Sequence, residues 1–283
     1  MKIGKYKLFA IETGVFALDG GAMFGIIPKV LWNKTNPADE QNRVTLHARN
    51  LLLVSDSRKI LIDTGIGSHW DEKFSRIYHL DQSEFTIFSS LASLRIQPGD
   101  ITDVILTHLH FDHTGGSTYL ENGRWVPSFP NAKYYIQKEH FQWALNPTEK
   151  DRASFIQTRF MPLYEEGLLN FIEGDFHFDD EIELLPVNGH TFSQQLVKIH
   201  DPSETLLYCG DLFPFASHIP LPYVMGYDLQ PMITINEKKT ILPEAVSRNW
   251  KLFFEHDPEV VMATVAESGN GYSIDQVFTE IIL

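Results

Sequence analysis

Apolar positions along the chain fall into short, nearly continuous runs, with fewer segments that repeat at helical spacing. Residues 7–18 alternate loosely and predict an opening strand. Asn50 to Val54 and Lys59 to Asp63 predict a hairpin that turns at Asp56-Ser57. Asp103-Val104-Ile105-Leu106 has the length and composition of a buried strand. Ala132 to Gln137, Glu181 to Val187, Gln194 to Ile199, Thr205 to Cys209, Trp250 to Phe254 and Val260 to Ala266 predict further strands. Helical spacing runs from Asp81 to Ile96, where Asp81 and Glu84 form a capping box and Phe85, Phe88, Leu91 and Ala92 share a face. Pro98-Gly99 stops it. Glu139 to Leu145 and Pro231 to Asn249 predict helices, and residues 148–172 read as mostly helical with a break at Met161-Pro162. Residues 19–33 read as a long, apolar, glycine-rich loop. The mixture is α/β, and no repeat, low-complexity tract or long linker divides it, so residues 1–283 are expected to form a single domain.

Composition narrows the class. With 283 residues and 43% hydrophobic content the chain can bury a large core. Its formal net charge of −14 disfavours nucleic acid and anionic membranes as partners, since phosphate binding needs clustered Lys and Arg. The single cysteine, Cys209, forbids an intrachain disulfide and sits in an apolar strand, where a buried, inert thiol is expected. The basic start Met1 to Lys7 is followed by an apolar run that Glu12 interrupts, which argues against a signal-peptide core. No stretch approaches transmembrane length, and a soluble, cytoplasmic protein is expected.

Candidate chemistry concentrates in residues 107–116, Thr-His-Leu-His-Phe-Asp-His-Thr-Gly-Gly. His108, His110, Asp112 and His113 lie within one short loop, directly after the predicted strand that ends at Leu106. Imidazole and carboxylate are the donors that zinc and similar divalent ions take, and such a loop can aim all four inward. A lone histidine in this chain of 12 is more often a surface residue, but the full His-x-His-x-Asp-His pattern is rarely a coincidence.

This pattern resembles that of the metallo-β-lactamase superfamily, whose fold is a four-layer αββα sandwich and whose members with the complete motif usually hold two metals. The resemblance covers nearly the whole chain. It asks for three later ligands, and Asn188-Gly189-His190-Thr191, Cys209-Gly210-Asp211 and Glu255-His256-Asp257 supply them in order. It implies one metal on His108, His110 and His190, a second on Asp112, His113 and His256, and Asp211 bridging both, with zinc the expected ion. Two ions sharing a carboxylate make hydroxide available at neutral pH and polarise an electrophilic oxygen. The reaction expected is therefore hydrolysis, with Asp112 and Asp211 as catalytic residues and no side-chain nucleophile. Asp63 is a candidate acceptor for a ligand imidazole N–H, and the histidines outside the motifs, His140 and His218 among them, have no ligand spacing and mostly read as surface.

The loop Asp19 to Pro28 is similar to the N-terminal loop of the quorum-quenching N-acyl-homoserine lactonase branch, which packs at a homodimer interface and lines the acyl site. Met23, Phe24, Ile26 and Ile27 would then form an apolar wall for a lactone or ester substrate, with Phe213 to Pro220 opposite and His218 a possible substrate contact. An organophosphate or aryl ester hydrolase is the alternative within the fold, and a non-catalytic metal-binding protein the alternative of another class. Many lactonases of the branch carry Tyr three residues after the bridging Asp. Pro214 stands there in this chain, leaving Tyr223 or Tyr227 to replace it. Other branches fit less well. Classical β-lactamases carry Arg in place of His113, oxygen-reducing di-iron members carry Glu in place of His110, and glutathione-thiolester hydrolases need a basic C-terminal site, whereas residues 257–283 hold no Lys or Arg.

Overall fold

A computed structural model describes residues 1–269 and 271–281. The chain opens with β1 (Lys2–Ile3) and β2 (Tyr6–Asp19), then the short helices α1 (Gly20–Phe24) and α2 (Lys29–Trp32). The strands β3 (Arg43–Val54) and β4 (Lys59–Ile62) make the expected hairpin, followed by α3 (Glu72–Ile77), α4 (Ile87–Ser93), β5 (Asp103–Ile105) and α5 (Phe111–Thr114). A small hairpin, β6 (Thr118–Glu121) with β7 (Arg124–Pro127), precedes β8 (Lys133–Gln137), α6 (Lys138–Leu145), α7 (Met161–Glu165) and β9 (Leu169–Ile172). The second half contains β10 (Phe176–His177), β11 (Ile182–Val187), β12 (Gln194–His200), β13 (Thr205–Tyr208), the long helix α8 (Pro231–Ser247), β14 (Lys251–Phe253), β15 (Met262–Ser268) and β16 (Gly271–Phe278). One sheet runs β1-β2-β3-β4-β5-β8-β9 and the other β10 through β16 in sequence order.

Strand periodicity explains why the two sheets stack. Along β3 and β4, Leu51, Leu53, Ile60 and Ile62 point into the space between the sheets, where Ile182, Leu184, Val197, Leu206 and Phe253 meet them. Their neighbours Leu52 and Leu61 point outward and pack under α4 and α6 through Leu91 and Phe141. Likewise Leu207, Leu252 and Ala263 of the second sheet face α8 at Leu242 and Ala245. Strands covered on both faces need continuous apolar runs, which is how these read in the sequence. The result is the expected four-layer αββα sandwich.

Three expectations about local structure are corrected. The helix expected over residues 81–96 spans only Ile87–Ser93, because Asp81 exchanges backbone hydrogen bonds with Val15 of β2 and the true capping box is Thr86 with Ser89. Its buried face is Ile87 and Leu91, while Ala92 is exposed. Residues 19–33 are not a plain loop: Asp19 caps α1 by accepting from the Ala22 amide at 2.9 Å, and Trp32 of α2 stacks on Phe24 with ring centroids 5.1 Å apart. Residues 148–172 are largely irregular, and Pro162 sits in the first turn of α7 rather than breaking a longer helix.

Candidate metal centre

Four strands of the sandwich run directly into the candidate ligands. His108 and His110 follow β5, with Asp112 and His113 on α5. His190 follows β11, Asp211 follows β13 and His256 follows β14. The ligand loop is fixed from two sides. Gly115 and Gly116 lie against the 64–67 loop so closely that a Cβ on either would strike the carbonyls of Ile66 or Thr64. From the other side, His140 Nε2 accepts from the Leu109 amide at 2.8 Å, and its Nδ1–H donates to the Phe192 carbonyl at 2.7 Å. His140 is fully buried, not at the surface, and burial lowers its pKa to about 4, so it stays neutral as these two bonds require.

All seven candidate ligands converge. His108 Nε2 lies 3.0 Å from His110 Nδ1, which lies 3.1 Å from His190 Nε2, and His190 Nε2 lies 3.1 Å from Asp211 Oδ2. On the other side, His113 Nε2 lies 3.2 Å from His256 Nε2, and Asp112 Oδ2 lies 3.9 and 3.8 Å from these two nitrogens. Asp211 turns Oδ2 toward the first group and Oδ1 toward the second, 3.1 Å from His256 Nε2 and 3.4 Å from His113 Nε2. The two groups, His108–His110–His190–Asp211 and Asp112–His113–His256, are each tight enough to hold a metal ion.

Their chemistry fits cations. Donor atoms about 2.0–2.1 Å from a tetrahedral ion stand about 3.3–3.4 Å apart, close to the separations seen here. Asp211 Oδ1 is buried yet accepts no hydrogen bond, a costly arrangement unless a cation satisfies it. Burial, then the neighbouring imidazoles, hold His108 and His110 well below the ordinary histidine pKa, which keeps them neutral and able to ligate. At His113 burial acts the same way, but Glu255, Asp211 and Asp112 outweigh it and raise the pKa, so the local field favours positive charge.

The outward nitrogens of the ligand rings are held in turn. His190 Nδ1 lies 3.0 Å from Asp228 Oδ1, His256 Nδ1–H donates to the His47 carbonyl at 2.8 Å, and His108 Nδ1 lies 3.0 Å from Thr107 Oγ1. The candidate acceptor Asp63 does meet a candidate ligand: its Oδ2 is 3.1 Å from His113 Nδ1. Sequence reading missed Asp228, Glu255 and His140. Nothing in the sequence marks Asp228, while Glu255 stands beside the candidate ligand His256 and outside the predicted strand Trp250 to Phe254, with no signal of its own.

A cleft opens over this centre, with about 190 Å³ of space for water-sized groups, and His110, Asp112, His190, Asp211 and His256 form its floor. Leu18, Met23, Leu46, Phe111 and Met225 give an apolar wall, and Tyr78, Lys150, Asp151, Ser154 and Tyr227 a polar one. Of the expected substrate contacts, only Met23 lines this cleft. Phe24 is buried behind it, stacked between Trp32 and His218, and Ile26 points to solvent at 86% exposure. Phe213 lies in the core beneath α8. His218 is buried, its Nε2–H donating to the Met23 carbonyl at 2.9 Å, and burial lowers its pKa to about 3. It anchors α1 rather than facing the cleft. Lys238, also fully buried, donates to the carbonyls of His218, Pro220 and Tyr223 at 2.5, 2.8 and 3.0 Å. It thereby secures the segment leading to Met225, Tyr227 and Asp228.

Cys209 is buried among apolar side chains, and burial raises its pKa far above the thiol range. Cys209→Ser is expected to leave kcat unchanged and to lower stability by about 1–2 kcal/mol, through burial of a hydroxyl. Steady-state kinetics with a thermal melt checks this, and a large loss of kcat would point to a thiol mechanism.

The family model of the metallo-beta-lactamase superfamily matches residues 44–256, which span every ligand from His108 to His256. The chain belongs to this superfamily. As in its relatives, the assignment is to a metal-dependent hydrolase. A probable metal-dependent hydrolase from Staphylococcus aureus superposes with a TM-score of 0.90 at 30% identity over 100% of both chains. AidC, a dizinc quorum-quenching lactonase, gives a TM-score of 0.80 at 20% identity, covering 100% of this chain and 97% of AidC. In sequence, the N-acyl homoserine lactonase AttM of Rhizobium radiobacter is 20% identical over 257 residues, 88% of this chain and 94% of AttM. The AiiA lactonase of Bacillus thuringiensis subsp. kurstaki is 26% identical over 228 residues, 74% of this chain and 80% of AiiA. Among the described residues no helix is long and apolar enough to cross a membrane.

Proposed function

We propose that this member of the superfamily is a two-zinc hydrolase that opens lactones such as N-acyl homoserine lactones. The observation that carries the reading is the cleft, where an apolar wall of Leu18, Met23, Leu46 and Met225 stands directly beside the histidine and aspartate floor. The lactonase relatives support the choice of substrate.

Two divalent ions, when bound at this centre, would supply Lewis acidity toward a carbonyl oxygen and would lower the pKa of water toward neutrality. The chain does the rest. His108, His110 and His190 would hold one ion and Asp112, His113 and His256 the other, with Asp211 turning one oxygen toward each group. Asp112 retains 7% exposure on the cleft floor, and there it takes the proton of the attacking water and returns it to the leaving alkoxide. Tyr227 takes the place of the tyrosine absent at Pro214: it lines the cleft, whereas the Tyr223 ring packs edge-on against Phe24, 6.3 Å between centroids. The apolar wall receives the acyl chain. We further propose a homodimer, supported by the exposed apolar residues Ile26 and Val30 of the N-terminal loop.

Metal-replete enzyme assayed against acyl-homoserine lactones, aryl esters and a phosphotriester tests the substrate. Lactones are expected to be turned over fastest. Met23→Ala is expected to raise KM for long-chain lactones more than for short ones at unchanged metal content. A phosphotriester or aryl ester outpacing every lactone would move the assignment to the organophosphate or esterase reading.

A further inference from the structure

The ligand histidines differ in what stands behind them. His108 is backed by the Thr107 hydroxyl, His190 by Asp228 and His256 by a backbone carbonyl, while His110 Nε2 has no partner among the described residues. His113 alone faces two carboxylates, with Asp63 Oδ2 at 3.1 Å and Glu255 Oε2 at 3.0 Å from the same Nδ1. We propose that Glu255 is a positioning residue that acts through His113 and makes the ion on Asp112, His113 and His256 the more tightly held of the pair. This rests on the two-ion reading of the centre.

Asp63 alone already suffices to orient the ring. It accepts from the Thr107 amide at 2.7 Å and the Thr107 hydroxyl at 2.6 Å as well as lying against His113 Nδ1, so its charge is shared among three donors. Glu255 is different. Its Oε1 accepts from Asn50 Nδ2 at 3.1 Å, while Oε2 is buried without a hydrogen bond. Among the described residues its one ion-pair contact is His113. Arg49 donates its backbone amide to the Glu255 carbonyl, but its guanidinium is spent on Glu12 and the carbonyls of Phe254 and Asp257. A fully buried carboxylate with no Lys or Arg paired to it among the described residues is unfavourable, unless positive charge reaches it through the His113 ring. The imidazole of His113 is that route: a cation on Nε2 is felt by both carboxylates at Nδ1, and they in turn strengthen the ring as a donor. The second ion would also receive Asp112 directly, whereas the first would have three imidazoles and a share of Asp211.

The test measures the two stepwise zinc dissociation constants by competition with a chromophoric chelator. Glu255→Gln is expected to raise the smaller constant about 10–100-fold and leave the larger unchanged, and a rise confined to the larger overturns the proposal. Asp228→Asn, which acts behind His190, is expected to raise the other. With cobalt in place of zinc, Glu255→Gln should alter the visible spectrum of one ion only. Both constants unchanged in Glu255→Gln, or both raised equally, overturns the proposal. A natural protein that binds fewer than two ions would instead remove the two-ion reading beneath it. Should Glu255→Gln fail to fold, Glu255→Asp carries the test. It keeps the charge but draws the carboxylate back from His113, and it should weaken the same single ion; unchanged affinity there overturns the proposal equally.

Discussion

Asp211→Ala is expected to reduce kcat/KM by at least about 10²-fold and to lower bound zinc below two ions per chain, since loss of a ligand changes metal affinity and water activation together. Asp211 is the only candidate ligand that faces both groups, its Oδ2 3.1 Å from His190 Nε2 and its Oδ1 3.1 Å from His256 Nε2. Removing it should therefore affect both ions, whereas His110→Ala should affect chiefly the first. Steady-state kinetics and elemental analysis on the same preparations check this. Asp211→Asn keeps the shape and removes the charge, and it should fall between the natural protein and the alanine variant. Near-natural turnover in Asp211→Ala with full metal content would remove it from the centre.

Stripping the metal is expected to lower thermal stability by roughly 10 °C or more, reversed when zinc is returned. A ligand present at about a thousandfold over its dissociation constant stabilises by about 4 kcal/mol, and each kcal/mol moves the midpoint of a chain this size by about 2–4 °C. The effect should be large here because the centre is buried. His108, His113, Asp63 and Glu255 are fully inaccessible, and Asp112, His190, Asp211 and His256 nearly so. Without cations, this many carboxylates and converging nitrogens leave charge and lone pairs unsatisfied inside the sandwich. A melt in the presence of chelator, compared with one in excess zinc, reads the difference. Coincident melts would mean that protein contacts alone satisfy the centre.

The parts of this centre that were readable in sequence are those fixed by local chemistry. His108 to His113 lie within six residues, and each later candidate ligand follows an apolar strand closely enough for run and ligand to be seen together. What escaped was set by contacts between distant segments. Asp81 looks like a helix cap, yet its backbone pairs with Val15, so the helix begins at the next suitable cap, Thr86. His140 reads as an ordinary exposed histidine until the Leu109 amide and the Phe192 carbonyl, 31 and 52 residues away, are placed on either side of it. Phe24 and His218 were expected in the acyl site because the loop carrying Phe24 is apolar and His218 lies close after Asp211. They instead stack on each other at 4.8 Å behind Met23, one layer below the cleft. Residues 148–172 have helical composition, but Arg159 lies between the rings of Trp70 and Trp125, 4.1 Å from each, and those contacts override local preference.

The most direct measurement is a zinc titration of metal-free protein with N-acyl homoserine lactone opening as the readout. The account predicts negligible turnover without metal, and a rise that levels off when two ions per chain are bound. Full turnover in the metal-free protein, or no lactone opening once both ions are bound, would contradict it.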